Sequence, residues 1–236
     1  MLQSSSPVVL AADAFMPPLA PVVLLAFLGA GFLFVCCAVA AAVALAFRRG
    51  RLGRILGAAA LSVAVVYATL LVGASLVSSE RTLRPGERKY FCEMDCHLAY
   101  SVVGTGEAGG RRTVTVRTWF DPSTIASFRG DAPLTPNPRI VYLVDSAGRR
   151  HHPSGEAPPG STPLTQTLRP GESYDTTFAF AAPASSDGRL RLFLGDPLGP
   201  ENLIIQHENS PLHRKIYFEL PAATLATGAP PPAARP

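Results

Sequence analysis

Two long uncharged apolar runs, a basic link between them and a train of short β-branched and aromatic runs cut by turn residues together predict the fold. They specify an α-helical transmembrane hairpin leading into an antiparallel all-β immunoglobulin-like sandwich of about seven or eight strands. The first apolar run, residues 22–47, reads VVLLAFLGAGFLFVCCAVAAAVALAF without a charge. As a helix rising about 1.5 Å per residue, it crosses the roughly 30 Å hydrocarbon core with some tilt. Residues 55–79, ILGAAALSVAVVYATLLVGASLVSS, do the same.

Between them, residues 48–54 read RRGRLGR, with Arg48, Arg49, Arg51 and Arg54 and no acid. The positive-inside rule places this loop in the cytoplasm, so residues 1–21 become a short extracytoplasmic segment and everything after residue 79 lies outside. A cleaved leader would carry its basic residues ahead of the apolar run, whereas here they follow it. The net charge of +4 is mostly a consequence of this topology: residues 1–79 carry a balance of +3, and residues 80–236 only +1. With no basic stripe interleaved with aromatics, nucleic acid is not an expected partner. The bilayer is.

Residues 80–87 form a polar linker with a Pro-Gly turn, and the Pro/Ala-rich stretch 221–236 reads as a disordered tail. Residues 88–220 between them make one domain of ordinary size. Its candidate strands are 89–103, 111–120, 139–146, 162–168, 173–182, 189–195, 202–207 and 214–220, with a barrel as the alternative to a sandwich. RRTVTVRTWF (111–120) alternates until Thr118, where a bulge would restore the phase. RLRLFLG (189–195) sets Leu190, Leu192 and Leu194 against Arg189, Arg191 and the less expected Phe193. LRPGE occurs at 83–87 and again at 168–172, each time ahead of a strand, and fits a type II turn with glycine at positive φ.

LRPGESYDTTFAFAAP (168–183), RLRLFLGD (189–196) and ENSPLHRKIYFEL (208–220) resemble the uncharacterised immunoglobulin-like domains carried by many bacterial lipoproteins and membrane proteins. The resemblance covers about half of the soluble domain and rests on turns and strand ends, so it implies a fold and transfers no catalytic residue. The chain departs from the usual lipoprotein anchor in having two apolar helices and no lipobox.

The chemistry-bearing stretch is FCEMDCH, where Cys92, Met94, Cys96 and His97 crowd together at the start of the domain. Four readings compete: thiols buried on a core strand, a Cys92–Cys96 disulfide, a copper or zinc site, and a covalent haem anchor. Cys, Met and His are soft or borderline ligands, and the cysteine spacing distantly resembles the binuclear copper loop of cytochrome oxidase subunit II, although here His97 follows the second cysteine directly. Haem would need a large apolar pocket, whereas the flanks have strand character. Read as one strand from 90 to 102, the sulfur residues fall in an apolar stripe with Tyr90, Leu98, Tyr100 and Val102, and Glu93, Asp95 and His97 face the other way. An extended backbone would set Cys92 and Cys96 about 13 Å apart, too far for a disulfide, so the outcome turns on whether the chain bends at Met94.

Other histidines are weaker candidates. His151 and His152 sit beside two arginines in a Pro/Gly-rich stretch read as a solvated loop. His207 and His213 flank Ser210 without a nucleophile elbow, but across strands they could complete a metal set with Cys92, Met94, Cys96 and His97. The expectation is a multi-pass protein of the bacterial inner (cytoplasmic) membrane with a periplasmic C-terminal domain, non-catalytic, displaying a binding module to a protein or cell-envelope partner and needing no cofactor. The rival from another class is an extracytoplasmic copper or zinc protein, or a redox protein, built on Cys92-x-x-x-Cys96-His97.

Overall fold

The computed structural model describes residues 14–15, 20–91, 97–125, 129–154, 158–181 and 190–220. Two helices, α1 (Ala20–Ala46) and α2 (Gly50–Leu76), precede a sheet-rich region, and the chain divides into two compact units. Of the described residues, one unit holds the helices together with residues 195–216; the other holds residues 14–15, those between 82 and 194, and 217–220.

In the helical unit, both helices are long and apolar enough to cross a membrane. Leu25, Phe32, Val39, Leu61, Val66 and Leu70 are exposed along them, an apolar surface suited to lipid. The contact between them uses small residues, with Ala41, Ala44, Gly53 and Ala60 buried. A Cβ on Gly53 would come within 2.6 Å of the Leu45 side chain, so glycine sets that approach. α2 starts at Gly50, ahead of the apolar run that begins at Ile55, so Arg51 and Arg54 belong to its first turns and the link shrinks to Phe47, Arg48 and Arg49. The reversal is a Schellman end: Arg48 N–H donates to Leu45 O and Arg49 N–H to Ala44 O, with Arg48 in the left-handed region at φ 58°.

The other unit contains two five-stranded, mostly antiparallel sheets, an arrangement compatible with a sandwich. The first runs β1 (Ala14–Phe15), β3 (Arg88–Phe91), β4 (Leu98–Ala108), β5 (Arg111–Phe120), β8 (Ser173–Phe180); the second runs β2 (Arg81–Leu83), β10 (Ile216–Glu219), β9 (Arg191–Gly195), β6 (Ile140–Val144), β7 (Arg150–His151). Tyr100, Val102, Val114, Phe120 and Phe180 of the first sheet and Leu83, Leu143, Leu192, Leu194 and Phe218 of the second are almost wholly buried. Lys89, itself buried, joins the sheets by donating from Nζ to Leu194 O at 2.7 Å. β1 precedes the helices and β3 follows them, yet they pair in parallel, Ala14 with Arg88 and Phe15 with Lys89.

Several expectations change. The single strand expected from 90 to 102 is two strands: β3 and β4 are antiparallel neighbours, with Phe91 opposite Leu98 and Lys89 opposite Tyr100. Phe91, Leu98 and Tyr100 share one buried face. In β5 there is no bulge at Thr118. Val114, Val116, Thr118 and Phe120 alternate strictly into the core, and Trp119 lies on the opposite face with the Arg88 guanidinium 4.0 Å from its ring centre. The irregularity is on β4, between Val102 and Gly104. Of residues 162–168, only Leu168 makes a bridge, to Leu134. Residues 202–207 are not a strand: a 3-10 turn spans Pro200–Leu203 and a tight turn follows from Ile204 to His207, with Gln206 at φ 66°. Phe193 is explained by stacking on Tyr142 at 4.7 Å and packing edge-on to Tyr217 at 5.9 Å.

Both LRPGE copies fold alike. Glu87 N–H donates to Arg84 O and Glu172 N–H to Arg169 O, each at 3.0 Å, with Gly86 at φ 86° and Gly171 at φ 84°. Each glutamate also reaches back to accept from the arginine backbone N–H, at 2.6 and 2.7 Å. Gly86 N–H then donates to Val102 O and Gly171 N–H to Phe120 O, docking the turns on β4 and at the end of β5. Nothing stands within 4 Å of a Cβ placed at either glycine, so alanine meets only the backbone cost of left-handed φ. Gly86→Ala and Gly171→Ala should each destabilise the domain by about 1–2 kcal/mol, read as a lower thermal midpoint by circular dichroism.

Candidate functional site

The residues around the cysteine-containing connection form a buried polar cluster at one end of the first sheet. Phe120 ends β5, and Asp121-Pro122-Ser123-Thr124 follows as a short 3-10 turn (Pro122–Thr124) with Asp121 at its N-cap. This is the sequence an N-terminus wants: an acceptor side chain, then proline where no donor is needed. Asp121 Oδ1 accepts from Ser123 N–H at 2.9 Å and Ser123 Oγ–H at 2.6 Å. Its Oδ2 accepts the Tyr90 hydroxyl at 2.5 Å, and both residues are buried. Burial first, and the Asp121 carboxylate second, push the Tyr90 phenol up to about 12.

His97 opens β4 and is fully buried. Its carbonyl accepts from Asp121 N–H at 2.8 Å, and its ring stacks on Phe120 with centres 5.7 Å apart. Its Nδ1 meets Thr124 Oγ1 at 2.9 Å, while the Thr124 hydroxyl donates its one proton to Asp121 O at 3.1 Å. Thr124 thus links the His97 ring to the Asp121 backbone.

Cys92, Met94 and Cys96 lie outside the described residues. Described residues on either side of them, Phe91 and Leu98, are register partners on β3 and β4. His207 and His213 belong to the helical unit, His97 to the sheet unit. His207 Nδ1 accepts from Asn209 N–H at 3.2 Å and its Nε2 faces Asp196 Oδ2 at 3.4 Å, so both ring nitrogens are engaged locally. His213 Nδ1 donates to Arg214 O at 2.7 Å, and burial lowers its pKa against the opposing pull of that carbonyl and of Glu208. Among the described residues no three His, Cys, Asp or Glu side chains converge on a metal-sized site.

A second feature lies on the other sheet. Thr82, Asp145, Ser146, Gly148, Arg191 and Glu219 line a groove of about 570 Å³. Arg191 and Glu219 are cross-strand partners on β9 and β10, so the groove presents both signs of charge side by side. Asp145, buried at the end of β6, is saturated: it accepts from Ala147 N–H, Arg149 N–H, Arg149 Nε and His151 Nε2 at 2.8–3.1 Å. His151 chiefly, then the Arg149 backbone, holds its carboxyl far below the usual range. His151 is thus a member of β7 rather than of a solvated loop, and His152 packs on Tyr142 at 5.8 Å. Comparison with protein-family models, with curated proteins and with solved structures finds no match.

Sequence reasoning found His97 but missed Tyr90, Asp121, Ser123 and Thr124 as its framework. The Asp-Pro-Ser-Thr cap after a strand was the available signal. Tyr174, whose hydroxyl donates to Leu164 O at 2.6 Å, is also pushed up to about 12 by burial. A phenol whose folded pKa exceeds its ordinary 10 contributes stability that is complete below pH 10 and is lost between about pH 10 and 12. Tyr90→Phe should cost about 1–3 kcal/mol at neutral pH by leaving Asp121 short of a donor, and absorbance titration at 295 nm should lose one late-ionising phenol.

Proposed function

We propose that the chain is a two-pass protein of the bacterial inner membrane that displays a non-catalytic, immunoglobulin-like binding module on the extracytoplasmic side. The observation that carries this reading is the groove over Arg191 and Glu219, rimmed by the exposed Ser146 and Gly148 of the β6–β7 turn. Its walls are strands and a hairpin whose turn Asp145 holds, and Arg191 and Glu219 bring charge of both signs to it. A rigid rim with adjacent opposite charges suits a polar protein or envelope segment, and the helical pair keeps the module at the membrane. A photo-crosslinking residue at Ser146 of the full chain in intact cells should capture one discrete neighbour, and Arg191→Glu should abolish the adduct. No adduct, or one indifferent to Arg191→Glu, refutes the groove as the binding surface.

The metal or redox reading is kept alive by one observation, the reversal between Phe91 and Leu98, which supports a Cys92–Cys96 disulfide or a copper or zinc set with His97. Thiol titration and metal analysis of the full chain in detergent separate the cases. Stoichiometric metal lost in a Cys92→Ser, Cys96→Ser variant favours this reading, and two titratable metal-free thiols at these positions dismiss it.

A further inference from the structure

Residues 195–216 leave the sheets and pack with the helices as one compact unit. The Tyr67 hydroxyl of α2 donates to Leu203 O at 2.6 Å, and Arg214 N–H donates to Ser78 Oγ at 2.8 Å. Tyr67 precedes the helix end at Leu76 by about 13 Å at 1.5 Å per residue, so the segment runs back alongside the last turns of α2. At 27 residues, α2 is about 40 Å long and exceeds the roughly 30 Å hydrocarbon core by about two turns. With Arg51 and Arg54 at the cytoplasmic face, a core of that thickness reaches about residue 75, so Tyr67 and the segment it holds lie in the outer half of the bilayer.

The segment is built to lie in such a place. Its backbone closes on itself in tight turns: Asn202 N–H to Gly199 O, His207 N–H to Ile204 O, Ser210 N–H to His207 O and His213 N–H to Ser210 O. Several of its polar side chains bond within the segment, with Ser210 Oγ donating to Ile204 O, Asn209 to Asp196 O, and Lys215 Nζ to Glu208 O and Asn209 Oδ1. Three leucines face outward: Leu198 is 84% exposed, Leu212 65% and Leu203 49%. Leu212 is held there in the left-handed region at φ 65°, a conformation a branched side chain rarely adopts without a compensating gain.

We propose that residues 196–213 form a membrane foot, with Leu198, Leu203 and Leu212 inserted into the outer leaflet beside α2. The occupant of the leucine patch is lipid, because the patch continues the apolar surface of a helix whose own Tyr67 hydrogen-bonds its backbone. This rests on the reading that the helices cross a bilayer.

The test uses the full chain in phosphatidylcholine nanodiscs, with Trp119→Phe removing the single native tryptophan. Tryptophan is placed in turn by Leu203→Trp, Leu212→Trp and, as the control on the exposed surface of α2, Leu70→Trp. Lipids brominated near the top of the acyl chain should quench positions 203 and 212, with emission falling toward that of the control. Quenching at 70 with none at 203 or 212 overturns the foot and leaves the membrane helices standing. No quenching at 70 overturns both. Unmodified chain in discs carrying a diazirine-tagged phosphatidylcholine gives an independent reading: label in peptides covering 196–213 supports the foot, and label confined to α1 and α2 refutes it.

Discussion

The chain must turn back on itself between Phe91 and Leu98, and much of the first sheet follows from that reversal. It makes β4 the partner of both β3 and β5 and brings Phe91, Leu98, Tyr100 and Lys89 onto one buried face. Asp121 fastens the site of reversal from three directions: its backbone holds the His97 carbonyl, its side chain takes the Tyr90 hydroxyl, and the same carboxylate caps the turn that supplies Thr124 to His97. A buried carboxylate with this many donors is tolerable because each lone pair has work that water would otherwise do.

The second sheet handles charge differently. Its β9 and β10 pair Leu192 with Phe218 on one face, and Phe193 with Tyr217 and Arg191 with Glu219 on the other. That second face is covered by aromatic stacking among Tyr142, Phe193 and Tyr217, with the Arg150 and Arg191 guanidinium groups over the Tyr142 and Tyr217 rings. Cations over ring faces let a sheet be apolar beneath and wet above. The strip gives way to the polar groove at the Glu219 end.

The parts of this architecture that were legible in the sequence are those where one periodicity had no rival. The helices were plain because no charge interrupts them; only the start of α2 was misjudged, since arginines can occupy a first turn as readily as a loop. The LRPGE turns were plain because glycine at positive φ leaves few alternatives. The reversal was hidden because Cys92, Met94 and Cys96 alternate with charged residues, a pattern that lets one strand be read straight across from Phe91 to Leu98. Residues 202–207 deceived for a related reason: Leu203, Ile204 and Ile205 have strand composition, but Pro200 and the positive φ of Gln206 dictate turns. Thr118 and Trp119 were read by size, whereas strict alternation buries the small threonine and leaves the indole to Arg88. For the candidate site, His97 was visible by type, but its partners come from a turn distant in sequence, which no local pattern links to it.

β1 is made before either helix and finds its place only beside β3, which is made after both. The edge of the first sheet therefore cannot be completed until both helices have been made. Once β1 and β3 have joined, the polypeptide between them is a closed loop, so the last pairing of this sheet is between segments far apart in sequence, and its closure carries the entropic cost of that long loop.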